Sequence, residues 1–315
     1  MNNTRCLYCY QPLIDGEIDF HPRCSRRFFG QATPPTLTVT KQQMQELASE
    51  LVLRSVAVTG VQPKISLDIE PIPGQPRQQR FTVVGLWGGY ILKPPTPDFP
   101  FLPENEDLTM HLAQMLKITT AEHSLIRLQS GELAYLTKRF DRMDKGKLAL
   151  EDMCQLTEKL TEDKYRGSME MVGKVIHRFS SQPGLDAIAF FELTLFCYLT
   201  GNADMHLKNF SLLTNKEGEI LFSPAYDLLS TKLAMPSDRE EIALTLNGKK
   251  NRLKRMDFDS LGERLRINPK AVQATYTRFG KAVNHLTDFV QISFLPKDLI
   301  EQYQCLLTER AAILR

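Results

Sequence analysis

The sequence is poor in several things at once: it has one tryptophan, six cysteines and only a small excess of positive charge. Six cysteines in 315 residues are too few for the disulfide scaffold of a small secreted domain. Basic residues exceed acidic ones by 39 − 37 = 2. That balance excludes a chain whose main task is coating nucleic acid, which calls for a strongly basic face. Seventeen glycines and 18 prolines exclude collagen-like and low-complexity classes. The most apolar stretch, 185-LDAIAFFELTLFCYLTG-201, carries Asp186 and Glu192 and falls short of the roughly 20 apolar residues a membrane span needs. It reads as a buried helix. The opening, MNNTRCLYCYQPLIDGE, is polar and lacks the apolar segment of a secretory leader. We therefore expect a cytoplasmic protein with reduced thiols and no membrane attachment.

What is present suits a globular chain of about two units, with 42% hydrophobic and 24% charged residues. Residues 1–30 form a compact, cysteine-bearing unit. The segment 31-QATPPTLTVT-40 reads as a linker, and 41–55 has helical spacing. From 56 to 93 the pattern is that of strands, interrupted by the polar, proline-rich 71-PIPGQPRQQR-80. Residues 104–118 read as a helix with an acidic first turn and Asn105 as cap. HSLIRLQ and LAYLTKRF read as strands. Beyond Arg142 the pattern is helical except for a hairpin at 210–224, with Gly218 near its turn. The expected domains are a Cys/His unit at 1–30, a small β-rich lobe at 31–140 and a helical lobe at 141–315: an α+β class with two lobes.

The strongest chemical signal is 201-GNADMHLKNFSLL-213, followed by 224-PAYDLLS-230. Asp204 and Asn209, with Asp227 after a hairpin, have the spacing that phosphoryl transfer uses. The first aspartate accepts the proton of an attacking hydroxyl, and the asparagine and later aspartate hold magnesium at the phosphates. Taken alone, D-x4-N is also an ordinary polar loop. In the first half, the strand YILK offers Lys93 to ATP phosphates, and Glu106 on the following helix can pair with it. Between two strands, 58-VTGVQPK-64 is a glycine turn whose amides from Thr59 to Lys64 could cover phosphates; it is not a Walker loop.

The motifs VTGVQPK, YILKPP, the ENE helix, RFDR at 139–142, EDMCQ at 151–155, DMHLKNFS at 204–211 and PAYDL at 224–228 together resemble the HipA-like serine/threonine kinases, toxins of bacterial toxin–antitoxin modules. The resemblance covers roughly 50–310. It implies a two-lobed fold related to protein kinases and phosphoinositide kinases, with ATP and magnesium as cofactors. It further implies Asp204 as catalytic base, Asn209 and Asp227 as magnesium ligands, Lys93 on the α/β-phosphates, and His206 and Lys208 near the transferred phosphate. Lys138, Arg139 and Phe140 match the hinge that meets adenine. Thr59, Gly60, Val61, Gln62, Pro63 and Lys64 match the glycine-rich loop, and Tyr226 sits beside the metal aspartate. Two departures stand out. The region before the loop is shorter than in full-length members, so a separate small protein can supply the missing subdomain. The serine that members of the family phosphorylate to regulate themselves is replaced by Ala57, leaving Thr59, or Ser55, as the nearby hydroxyl.

Cys6, Cys9, His21 and Cys24 form C-x2-C-x11-H-x2-C, a spacing that suits one tetrahedral structural zinc; unliganded thiols in a tail are the alternative. Cys154, Cys197 and Cys305 read as core thiols, and His111, His123, His177 and His285 as structural or surface residues. The leading functional expectation is an ATP-dependent serine/threonine protein kinase that phosphorylates a cytosolic protein, by resemblance an aminoacyl-tRNA synthetase, and arrests growth. Its expected partners are a small helix-turn-helix antitoxin and a separate N-subdomain-like protein, with DNA reached only through such a partner. The alternatives are a small-molecule or phosphoinositide-like kinase, and a catalytically silent binding module.

Overall fold

The computed structural model describes residues 4–43, 46, 64–84, 88–143 and 146–315. The glycine turn at 59–63, with Thr59, lies outside the described residues, as do Ser55 and Ala57. The chain divides into two compact units, Met1–Asp107 with Ala121–Phe140, and Leu108–Thr120 with Asp141–Arg315.

The first unit holds helix α1 (Pro22–Phe29) and an antiparallel sheet of β1 (Ile65–Ile72), β2 (Gln75–Val83), β3 (Tyr90–Lys93), β4 (His123–Arg127) and β5 (Leu133–Lys138), in the order β2-β1-β3-β5-β4. Alternation along β1 buries Ile65 and Leu67, and β3 lies between β1 and β5 with Tyr90 and Leu92 buried. The stretch 71–80, expected to separate strands, instead forms them. Pro71 pairs with Gln79 and Ile72 with Gln75 around Gly74, whose φ of 77° is a left-handed turn conformation. Proline is tolerated here because the hairpin lies at the end of the sheet, where not every amide is needed in the ladder.

The expected linker at 31–40 is also part of this unit. Thr36 bonds β2 through Thr36 N to Gln79 O at 3.0 Å and Phe81 N to Thr36 O at 2.9 Å, and Leu37 is buried. An edge strand presents unpaired amides, and this threonine satisfies some of them. Helix α2 (Leu102–Met115) starts before the expected cap. Asn105 is inside it and buried, its amide bonded to Phe101 O.

The second unit pairs a three-stranded sheet, β6 (Leu150–Asp152), β7 (Ser211–Thr214) and β8 (Ile220–Phe222), with helices α3 (Met153–Leu156), α4 (Met169–Phe179), α5 (Pro183–Thr200), α6 (Thr231–Ala234), α7 (Arg255–Arg264), α8 (Pro269–Gln291) and α9 (Lys297–Arg310). The β7–β8 hairpin turns through Gly218, at φ 83°, as the sequence suggests. Strand β6 is not legible in the sequence, because three residues are too few to show an alternation.

Helix α5 is long and apolar enough by composition to cross a membrane, yet 67% of it is buried inside the protein, packed on α4, α7, α8, α9 and β8. Phe190, Phe191, Leu195, Phe196 and Cys197 are inaccessible, each large apolar side chain contributing about 1.5–3 kcal/mol by leaving water. Cys154 and Cys197 are core thiols as expected; Cys305 is exposed, because it falls on the outer side of α9, away from buried Ile300, Tyr303 and Leu307.

Candidate active site

In the second unit the polar loop after α5 is held in place from both sides. Helix α5 ends at Gly201, whose φ of 70° suits glycine; a Cβ there would lie 2.9 Å from Lys232 Cβ. Thr231 Oγ1 donates to Gly201 O at 2.9 Å and accepts from Ala203 N at 2.8 Å. Apolar Met205, Leu207 and Phe210 are buried and anchor the segment like pegs, with the polar residues set between them.

Within this loop Asp204 N donates to Asn202 Oδ1 at 3.0 Å, and the Asp204 carboxylate accepts a hydrogen bond from Tyr165 Oη at 2.5 Å. Asn209, buried, donates through Nδ2 to the Asp204 carbonyl at 2.9 Å. That bond fixes the amide so that its oxygen, Oδ1, is left as the acceptor end. Lys208 Nζ forms an ion pair with Asp152 Oδ2 at 2.7 Å, and Asp152 also caps α3 through Gln155 N. The partnership follows from strand register, since Asp152 lies opposite Ser211 in the β6–β7 ladder. Tyr226 Oη donates to the Lys208 carbonyl at 2.9 Å and bonds Ser211 Oγ at 2.6 Å. The tyrosine thus braces the loop backbone.

His206 is strongly perturbed. Burial lowers it to about 4, against the opposing charges of Asp204 and Asp227. Burial, helped by the charge of Lys164, outweighs two nearby carboxylates, which favours a neutral imidazole at neutral pH. Its Nδ1 is buried with no hydrogen-bond partner among the described residues, and its ring meets Tyr165 edge-on at 5.0 Å. Asp227 adopts φ 56°, a left-handed backbone that costs a non-glycine residue roughly 1 kcal/mol and that aspartate tolerates better than most. Strain of this kind clusters where a side chain must point one way for function.

In the first unit, Lys93 ends β3 and is 2% exposed, as an ion pair with fully buried Glu106 of α2. Its ammonium also lies 5.3 Å from the centroid of the Tyr135 ring. The next residue, Asp107, accepts from Tyr10 Oη and from His123 Nδ1, both at 2.7 Å. Glu104, one turn earlier, is pushed up to about 7 by burial and by the charge of Asp107. Lys64 is exposed at the entrance to β1. At the expected hinge, the amides of Lys138 and Arg139 bond Glu122 O at 2.8 Å and Gly89 O at 2.9 Å, and Lys138 pairs with Glu122. An adenine contact at 138–140 therefore falls to groups other than those two amides.

Sequence reasoning misses Tyr165 and gives no role to Asp152, His123 or Asp107. Asp152 lies inside the EDMCQ motif, which is the available signal. Tyr165 carries none, since it is 39 residues from its partner.

The four thiol and imidazole groups of the N-terminal segment also come together. The candidate ligand atoms of Cys6, Cys9, His21 and Cys24 all lie within 4.8 Å of one another.

Comparison with known proteins agrees with this reading of the fold. The family model of the HipA-like C-terminal domain matches residues 56–286. A putative kinase of Sinorhizobium fredii, Y4dM, is 36% identical over 159 residues, 47% of this chain and 38% of that protein. A putative kinase of Haemophilus influenzae is 27% identical over 290 residues, 83% of this chain and 82% of that one. Among solved structures, HipA of the Shewanella oneidensis toxin–antitoxin system, determined with HipB and operator DNA, superimposes with a TM-score of 0.67 at 21% identity, over 81% of this chain and 64% of its own. The Helicobacter pylori proinflammatory kinase CtkA gives 0.55 at 18%, over 78% and 92%. The chain thus spans well under half of the first relative and just under two thirds of the Shewanella protein. With a matched segment that takes in β1 to β8 and most of the helices, the chain belongs to the HipA-like family and has its kinase-like fold.

Proposed function

We propose that this protein is an ATP- and magnesium-dependent serine/threonine kinase, with Asp204 as its catalytic base. The observation that carries the reading is the Asp204 carboxylate accepting a hydroxyl proton donor, Tyr165 Oη, at 2.5 Å. The same oxygen chemistry would receive a substrate serine or threonine hydroxyl. The donor set fits magnesium: Asn209 Oδ1 is the acceptor end of an amide held by its nitrogen, and Asp227 supplies a carboxylate from a constrained backbone. Both are hard oxygen ligands, and magnesium needs few from protein when phosphate and water complete its shell. ATP would supply the phosphoryl group, with magnesium offsetting its charge. Lys93, held by Glu106, would bind the α/β-phosphates, and residues 59–64 would cover them. Lys138, Arg139 and Phe140 would line the adenine side, with His206 and Lys208 beside the transferred group. Neutral His206 can donate or accept a single hydrogen bond there without adding charge, while Lys208 is oriented by Asp152.

The finer reading is that of a toxin acting in the cytoplasm on a protein such as an aminoacyl-tRNA synthetase. A small DNA-binding antitoxin would restrain it, as the Shewanella complex with HipB suggests, and a separate small protein would replace the missing N-terminal subdomain. Thr59 is the proposed self-regulatory phosphorylation site. The test is phosphoryl transfer from radiolabelled ATP to this chain and to proteins of its host, with Asp204→Asn as control. Loss of a general base should lower the rate by roughly 10²–10⁴-fold. A folded Asp204→Asn protein that transfers phosphate at the parent rate would refute the assignment, and a parent without any transfer would favour a silent binding module.

A further inference from the structure

The N-terminal segment has a core problem. Below about 40 residues a unit seldom holds itself together without a metal, a disulfide or a partner surface. Residues 4–30 contain two turns and one short helix, yet Cys6, Leu7, Tyr10 and Phe28 are completely inaccessible. Something must hold the segment in place.

Its two ligand hooks have defined backbones. In the first, Cys6 N bonds Gln11 O and Tyr10 N bonds Cys6 O, both at 2.9 Å, and Tyr10 takes φ 63° to close a tight knuckle. The second is the start of α1, where Cys24 N and Ser25 N both bond His21 O at 3.0 Å. The side chains converge between them. Cys9 Sγ lies 3.4 Å and Cys24 Sγ 3.6 Å from His21 Nδ1. In a tetrahedral zinc site, bonds of about 2.3 Å to sulfur and about 2.0 Å to nitrogen put neighbouring S and N ligands about 3.5 Å apart. The observed separations match that edge. His21 Nε2 lies 2.9 Å from the Pro12 carbonyl, so Nε2 carries the proton and Nδ1 directs its lone pair at the thiols. This second-layer bond is the usual way a metal-binding histidine is fixed. Three thiolates and one imidazole make a soft, closed set that favours zinc over magnesium or calcium.

We propose that Cys6, Cys9, His21 and Cys24 hold one zinc ion, and that this ion staples the N-terminal segment onto the sheet that carries Lys93. The knuckle it closes supplies the docking contacts. Leu7 O accepts from Leu125 N and from Ser124 Oγ of β4, both at 3.3 Å. Tyr10 Oη donates to Asp107, next to Glu106, the ion-pair partner of Lys93. Around the second hook, Arg127 binds Asp19 through two nitrogens at 2.9–3.2 Å. Phe28 packs on Tyr90 and Phe29 on Phe81, each at 6.0 Å between centroids. Leu7 follows Cys6 and Tyr10 follows Cys9, so releasing the metal frees the contacts that hold β4 and α2. The staple does not depend on the kinase assignment.

The test uses the full chain, purified without added metal. Elemental analysis should find one zinc per chain in the parent and in Cys305→Ser, and its loss in Cys9→Ser and in His21→Asn. Where a variant does not fold, the parent decides: chelation of its zinc should raise hydrogen exchange in residues 5–29 and at the Leu125 amide and leave α8 and α9 protected, and added zinc should restore it. A metal-free parent whose residues 5–29 are as protected as after zinc addition overturns the proposal. So does a mass two hydrogens lighter, which would show a disulfide in place of the metal.

Discussion

Replacing Glu106 by glutamine would remove the negative half of a pair that water does not reach, since Lys93 is 2% and Glu106 0% exposed. Removing one partner of a buried ion pair strands the other charge, at a cost of about 3–5 kcal/mol. Glutamine keeps the shape and can still accept a hydrogen bond, and the Tyr135 face 5.3 Å away offsets part of the stranded charge by cation–π attraction. The lower end, about 3 kcal/mol, is therefore expected. That is a large fraction of the roughly 5–15 kcal/mol that holds a domain folded. Adding Lys93→Met removes the stranded cation while keeping much of its apolar stem. The double variant should recover most of the loss, because an apolar pair of similar volume is often as stable as a buried ion pair. Urea unfolding followed by far-ultraviolet circular dichroism would measure both. Nucleotide binding by the recovered double variant should remain absent, which separates the lysine's stability role from its proposed phosphate role. If Glu106→Gln unfolds at the parent's midpoint, or if the double variant is weaker than both single ones, the reasoning about stranded charge fails.

Two further outcomes follow from the titratable groups. Glu104 in the folded protein stands at about 7 against an ordinary 4.5. The stability tied to its protonated form is therefore complete below the unfolded value and lost as pH rises through the folded one, a difference on the order of 3 kcal/mol. Glu104→Gln should gain stability relative to the parent on going from about pH 5 to about pH 8; a variant-to-parent difference that does not change between those conditions would contradict it. At the loop, Tyr165→Phe should lower the transfer rate about tenfold with the KM for ATP unchanged, the lower end of the ~1.5–3 kcal/mol of a hydrogen bond to a charged group. Steady-state kinetics at varied ATP would check this, and an unchanged or faster rate would show that the tyrosine does not orient Asp204.

The loop at 204–209 and the pair Lys93–Glu106 are legible in the amino-acid order because the proposed phosphoryl transfer calls for particular residue types in a fixed chain order. The Cys/His spacing is legible for a similar reason: the geometry of the proposed zinc would restrict how far apart its ligands can sit along a chain. Helix α5 announces itself through an apolar run, and the β7–β8 hairpin through a glycine between polar residues. Local composition misleads where pairing with distant strands decides the outcome. Thr36 has the surroundings of a linker and bonds β2; 71–80 has the composition of a separator and is a hairpin. Strand formation there depends on partners that the local sequence does not contain.

By itself, then, the sequence determined the family and the α+β class, and it named the side chains proposed to carry the chemistry, since residue type and order are enough for those. Tertiary structure alone decided how those side chains are held: Tyr165 on Asp204 across 39 residues, Lys208 on Asp152 across 56, and Tyr10 on Asp107 across 97. It also decided that the His206 imidazole is pushed down, because burial is a property of the packed chain. Contacts between residues so far apart follow from strand register and helix packing, which no local pattern encodes.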